Sequence, residues 1–227
     1  MGDLASAIGI RAEEQDLVAE LKTGSEQAFA MLIAQYSHPI YSLIARNLRD
    51  PADAADVTQE VFVKVFRNIS GFHGEASLRT WIYRIALHEA SNQRRWWSRH
   101  KRQEITIDAP VQSGEGEESD ESISLSGLLM DGAGSPYDHA AQAEMKLRVE
   151  EALRQLPEAF RTVVILREME GFCYEEIAEI LDVPAGTVKS RLTRGRSALK
   201  QILVEQGLSV RELARQEPAT AFAGGAR

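Results

Sequence analysis

Cysteine occurs once in the 227 residues, at Cys173, so no disulfide can form within the chain and no cysteine-rich zinc site can be assembled. The histidines, His38, His73, His88, His100 and His139, show no paired ligand spacing, so no metal and no cofactor is expected. Long hydrophobic runs are missing too. No stretch approaches the roughly 18 to 20 apolar residues of a membrane span, and the first eleven residues lack the apolar run behind a basic start that marks an export signal. These absences predict a soluble, cytoplasmic chain. Aromatic residues are sparse, at 7%, yet the hydrophobic fraction of 44% suffices to bury a core in each of one or two domains.

One charge is also missing, but only locally. Residues 103–145 contain no Lys or Arg and ten Asp or Glu, whereas residues 1–102 carry 13 basic against 12 acidic residues and residues 146–227 likewise 13 against 12. The net charge of −8 is therefore that of one central segment and does not exclude a polyanionic partner for the two flanks. In each flank the cations cluster: Arg94, Arg95, Arg99, Lys101 and Arg102 in one, Lys189, Arg191, Arg194, Arg196 and Lys200 in the other. The central segment is rich in Ser, Gly, Glu and Asp, the composition of a flexible, self-repelling linker, with one apolar patch at Ile123, Leu125, Leu128, Leu129 and Met130.

What is present outside the linker is helical periodicity. Leu17 and Leu21 form a short stripe ended by Gly24, and Ala28, Phe29, Leu32, Ile33 and Tyr36 recur at three-and-four spacing. Asp50 before Pro51 marks a helix start, which continues through Val57, Val61, Phe62, Val65, Phe66 and Ile69 until Gly71 and Gly74 end it. From Ser77 a long helix places Leu78, Trp81, Ile82, Ile85 and Ala86 on a packing side and Thr80, Arg84, His88, Ser91 and Arg95 on another. Periodicity returns at Met145, Val149, Leu153 and Leu156, and Pro157 marks the next break. The predicted fold is all-α: a helical domain over 1–102, an acidic linker over 103–144, a second helical domain over 145–204 and an Ala/Gly-rich tail over 205–227.

The sharpest local signal is YEEIAEILDVPAGTVKSRLTRGRSAL, from Tyr174 to Leu199. Ile177, Ala178 and Leu181 supply one apolar face, Asp182, Val183 and Pro184 a turn, and Val188 and Leu192 the anchor of a second helix, a helix-turn-helix pattern. Thr187, Lys189, Ser190, Arg191, Thr193 and Arg194 fall on the outward side of that helix, where they can donate to phosphates and base edges.

With its flanks, LPEAFRTVVILREMEGFCYEEIAEILDVPAGTVKSRLTRGRSALKQ resembles the promoter-binding domain of extracytoplasmic-function sigma factors, a group of the sigma-70 family. Independently, DPADAADVTQEVFVKVFRNISGF is similar to the polymerase-binding part of that family's first domain, and FHGEASLRTWIYRIALHEASNQRRW to its promoter-melting part. The resemblance implies a promoter-specificity factor that binds core RNA polymerase, through the coiled coil of the largest subunit and the flap, and binds promoter DNA. It also implies an anti-sigma partner, and neither catalysis nor a small-molecule substrate. By the same resemblance Asp56, Gln59, Glu60, Phe62 and Lys64 dock on polymerase. Phe72, His73, Gly74, Glu75, Ala76 and Ser77, with Arg84, His88, Asn92 and Arg95, receive the melted minus-ten strand, where an extruded base costs a few kcal/mol of unstacking. Thr187, Lys189, Ser190, Arg191 and Arg194 read the minus-35 duplex. The linker would thread the polymerase cleft, either as a plain tether or with its carboxylates mimicking RNA phosphates.

Three positions depart from the family pattern. His88 stands where relatives often carry asparagine, Cys173 where a serine or threonine N-cap is common, and Asp182 where the turn often has glycine. A lone cysteine is most often a small buried residue. Trp81, Trp96 and Trp97 read first as core or interface aromatics; for Trp96 and Trp97, inside a basic run, the alternative is stacking on single-stranded bases. A stand-alone operator-binding regulator would also carry the helix-turn-helix, but has no use for the N-terminal half. A nucleic-acid enzyme would need metal-binding carboxylates, and helix-start chemistry already accounts for Asp50 and Asp53.

Overall fold

The computed structural model describes residues 14–48, 50–100 and 136–208. Every element among them is helical, in keeping with the all-α expectation, and they form two compact units: an N-terminal one holding those up to His100, and a C-terminal one holding most of those from Pro136 onward. No helix among the described residues is long and apolar enough to cross a membrane. The predicted linker up to residue 135, its apolar patch and the tail beyond residue 208 lie outside the described residues.

In the N-terminal unit a short helix over residues 14–22 (α1) precedes α2 (Glu26–Asn47), α3 (Ala54–Asn68) and α4 (Leu78–His100). The three long helices pack on one another, burying Leu32, Ile40, Leu43, Val61, Val65, Leu78 and Ile82. Each such side chain contributes roughly 1.5 to 3 kcal/mol of transfer free energy. Asp50 Oδ1 accepts from the Ala52 N–H at 2.9 Å, as its N-cap reading requires, but it opens a single 3-10 turn, Pro51–Asp53, and the α-helix proper begins at Ala54. Helix α2 runs through Pro39 to Asn47, whose side chain donates to the Leu43 carbonyl at 2.8 Å. Its buried stripe drifts accordingly. Ala28 and Leu32 are core, but Ile33 is 44% exposed and Phe29 lies against the exposed Phe66 ring at 4.9 Å between centroids.

The C-terminal unit contains α5 (Pro136–Gln155), α6 (Glu158–Val164), α7 (Tyr174–Leu181) and α8 (Ala185–Glu205). Helix α5 begins nine residues before the predicted return of periodicity at Met145, so residues 136–144, assigned to the linker by composition, are helical. Proline at the first helical position and the run Ala140, Ala141, Ala143, Glu144 favour a helix without an apolar stripe, which is why periodicity missed it. Helix α6 passes directly into a π-helical turn, Ile165–Met169, that keeps Ile165 and Leu166 buried. Gly195 of α8 sits directly on α6: a Cβ there would lie 2.8 Å from Val164 Cγ2 and 3.3 Å from the Phe160 carbonyl oxygen.

Candidate nucleic-acid interface

Helix α4 is held at both ends. Ser77 Oγ accepts from the Thr80 N–H at 3.0 Å and donates to Thr80 Oγ1 at 2.8 Å, while the Glu14 carboxylate accepts from the Leu78 N–H. Ser77 is thus an N-cap, and Glu14, 64 residues earlier, supplies a second acceptor for the orphan donors of the first turn. Near the other end Trp97 Nε1 donates to Asp53 Oδ2 at 2.7 Å, Gln93 Nε2 donates to the same oxygen at 3.4 Å, and Arg94 donates to the Asn47 carbonyl at 3.3 Å. These bonds give Trp97 the interface role expected first and take Arg94 and Thr80 out of the outward set. Trp97 and Arg94 serve the packing of α4 against the α2 to α3 connection, and Thr80, assigned to the outward face, is 1% exposed and committed to the cap. Trp96 remains half exposed and borders a cleft of about 430 Å³ whose lining includes Asp56, Glu60, Glu89 and Asn92.

The loop before α4 divides likewise. His73, Gly74 and Glu75 are exposed and Ala76 and Ser77 half-buried, whereas Phe72 is buried with its ring tilted at 46° against Trp81, 5.2 Å between centroids. Phe72 therefore forms the floor of the loop and does not project with its neighbours. Gly74 adopts a φ of 76°, a left-handed turn at which a side chain is strained. On α4 itself Arg84, His88 and Arg95 are exposed and Asn92 half-buried, one per turn along a single side. Arg95 Nη2 donates to Asn92 Oδ1 at 2.6 Å, and Asn92 Nδ2 donates to Glu89 Oε1 at 3.2 Å.

Helix α3 exposes Asp56, Gln59 and Glu60 beside Val63 and Phe66, a mixed polar and apolar side. Phe62 is half-buried, and Lys64 turns inward to Glu89, with Nζ 2.6 Å from Oε2.

In the C-terminal unit the turn is built as the residues require. Asp182 has φ 52°, the left-handed conformation that aspartate tolerates better than most residues. The Val183 N–H donates to the Ala178 carbonyl at 3.0 Å, and Pro184 begins α8 with its carbonyl accepting from Thr187 N–H at 2.8 Å. Lys189, Ser190, Thr193 and Arg194 are exposed and Thr187 and Arg191 half-buried, while Val188 and Leu192 are fully buried. Ser190 Oγ and Thr193 Oγ1 donate back to carbonyls of their own helix, at 3.0 and 3.1 Å, leaving their oxygens as acceptors on the outward side. Arg196 leaves the basic footprint: its Nε and Nη2 both donate to Glu168 Oε1, at 3.0 and 2.6 Å, in a pair that is largely buried.

Cys173 is exposed, contrary to the usual burial of a lone cysteine. Its N–H donates to Glu176 Oε2 at 2.8 Å, so half of a capping box is present without the side-chain half. The slight burial that it has is the largest influence and pushes the thiol above its ordinary value, helped by the side chains of Glu176 and Glu175 and opposed by the hydrogen bond with the Glu176 backbone, the opposite of an activated thiolate. The Glu175 carboxyl is lowered, first by its own backbone N–H and then by the Cys173 thiol.

The pattern of the sequence did not point to Glu14, to Asp53 as the partner of Trp97, to Glu89 or to the Glu168 to Arg196 pair. Of these only Glu89 had a local signal, its three-residue spacing from Asn92.

Comparison with known proteins agrees with the geometry. The model of sigma-70 region 2 matches residues 32–102 and that of sigma-70 region 4 matches residues 146–199. The RNA polymerase sigma-H factor of Pseudomonas aeruginosa is 35% identical over 84% of this chain and 94% of its own length. The ECF RNA polymerase sigma-E factor of Escherichia coli K12 is 34% identical over 82% of this chain and 92% of its own. The sigma factor RpoE from Bartonella quintana, solved in complex with the anti-sigma factor NepR, shares the fold at a TM-score of 0.57 and 20% identity, covering 78% of this chain and 96% of that one. Two family regions in order, on a fold with the matching helices, place this chain in the sigma-70 family, among the extracytoplasmic-function sigma factors.

Proposed function

We infer that this chain binds core RNA polymerase in the cytoplasm and directs initiation at a defined set of promoters, holding polymerase and DNA together without a reaction of its own. The observation that carries this is the coexistence in one chain of a region 2 unit and a region 4 unit, each with a polar or basic helix side turned outward.

Residues 1–102 take the polymerase-binding and minus-ten role and 145–204 the minus-35 role, joined by the acidic segment 103–144; residues 205–227 have no assigned part. Asp56, Gln59 and Glu60 face the coiled coil of the polymerase largest subunit, with Phe62 and Lys64 supporting them from the half-buried side of α3. His73, Gly74, Glu75 and Ser77 over the Phe72 floor, with Arg84, His88, Asn92 and Arg95, receive the melted strand. Thr187, Lys189, Ser190, Arg191 and Arg194 contact the upstream duplex and leave region 4 free to reach the polymerase flap. The Bartonella relative was solved with an anti-sigma factor, and a partner of that class would hold this chain inactive until a signal releases it.

Run-off transcription from a promoter library, using bacterial core polymerase with and without the protein, tests the reading. Initiation from a defined promoter subset only when the protein is present is the expected result. A shift of duplex DNA by the protein alone, with no promoter activated, would replace it with an operator-binding regulator.

A further inference from the structure

Glu89 is an acid on the helix assigned to a polyanion, and it is 8% exposed. Three groups converge on it. Lys64 Nζ of α3 lies 2.6 Å from Oε2, Asn92 Nδ2 donates to Oε1 at 3.2 Å, and His88 Nδ1 lies 3.2 Å from the same oxygen. Burial beside the ammonium neutralises the carboxylate, so it adds little repulsion towards phosphates outside.

We propose that Glu89 is a positioning residue for the minus-ten face: it locks the Asn92 amide in one orientation and thereby fixes which hydrogen-bonding groups α4 presents to an extruded base. The inference rests on the assignment of α4 to the melted strand. A carboxylate only accepts, so Asn92 must turn its NH2 towards Glu89. A guanidinium only donates, so the Asn92 oxygen must face Arg95 Nη2, 2.6 Å away. The acid on one side and the cation on the other leave the amide a single orientation, with one N–H and one oxygen lone pair still available. The same carboxylate favours the His88 tautomer protonated on Nδ1, which makes Nε2 the acceptor of the neutral ring; the 3.4 Å approach of Asn92 Nδ2 to Nδ1 is then a contact and not a bond. Lys64 links this arrangement to α3, so the helix assigned to polymerase clamps the helix assigned to the base.

The alternative is an ordinary ion pair between two packed helices, which would alter stability and leave base choice alone. Holoenzyme assembled from core polymerase and the full chain is used to select open complexes from promoters randomised across the minus-ten element, and thermal melting of the free chain is followed in parallel. With Glu89→Gln, whose amide can offer either end to Asn92, the ratio of preferred to rejected base at one position should fall about tenfold, the scale of one bidentate contact. Asn92→Ala should collapse the same position, and the double variant should lose no more than either alone. Should Glu89→Gln not melt cooperatively, Glu89→Gln with Lys64→Met removes the stranded cation and is read in the same selection. If Asn92→Ala erases the preference and the Glu89 variants retain it, Glu89 is only structural and the inference falls while α4 keeps its role. If Asn92→Ala and His88→Ala also leave base choice unchanged, the assignment of α4 fails and the inference with it.

Discussion

At Cys173 two effects of a helix N-terminus act in opposite directions. The helix dipole favours a thiolate, but partial burial and the neighbouring Glu175 and Glu176 carboxylates act against it, and the thiol lies above its ordinary value. Alkylation by iodoacetamide should therefore reach half its maximal rate at a higher pH than for a cysteine in an unstructured peptide, although the side chain is exposed. A half-maximal pH below the peptide's would reverse this reading. Serine at the same place restores the missing half of the capping box, so Cys173→Ser should stabilise the chain by about 1 kcal/mol, seen as a raised melting temperature. Arg191 is the residue to test on the duplex side: Arg191→Ala should weaken minus-35 binding by roughly 1 to 3 kcal/mol if it makes a bidentate base contact, measured by titration of a labelled duplex. The sequence alone separated these polar residues from the core because hydroxyls and cations alternate with Val188 and Leu192 at helical spacing. Helical phase also set Arg194 apart from Arg196, two residues on and nearly opposite on the helix, but it could not name Glu168 as the partner that holds the second.

At the scale of the element, α4 and α8 work because other segments hold them. Trp97→Phe removes the donor to Asp53 and leaves that carboxylate short of a partner, and it should cost about 1.5 to 3 kcal/mol of unfolding free energy, measured in urea. Gly195→Ala drives a methyl group into Val164 and the Phe160 carbonyl, and it should cost about 1 to 3 kcal/mol while duplex affinity at low temperature persists. A neutral outcome at Gly195 would mean that α6 can move away freely. Helix existence was legible throughout, from apolar spacing and from Asp50, Pro51 and Pro157. Helix ends were less so. Helix α5 starts at Pro136 on backbone propensity alone, and α2 continues through Pro39 because the packing of Ile40, Leu43 and Ile44 outweighs the one hydrogen bond that proline removes.

For the molecule as a whole, the net charge of −8 would suggest poor affinity for DNA, yet the acids that set it are concentrated in one segment. Replacing Lys189, Arg191 and Arg194 together by glutamine should flatten the slope of log affinity against log salt by about 2 to 3, one counterion for each phosphate that is no longer neutralised. An unchanged slope would place the duplex elsewhere on the protein. Neutralising the acids of residues 103–145 should raise non-specific DNA binding at low salt, with the difference fading as the Debye length shrinks to about 3 Å near 1 M salt.

The order of helices, their two-part grouping, the turn at Asp182 and the basic character of each flank were determined by the sequence itself, because each depends on neighbours within one or two helical turns. Tertiary structure alone decided which charged and polar groups pair across helices. Glu89 and Lys64, Glu168 and Arg196, Asp53 and Trp97, and Glu14 with the start of α4 are pairs 25 to 64 residues apart. Only the packing of separate helices brings such groups within hydrogen-bond distance, and it is that packing which turns a set of cations into an oriented surface.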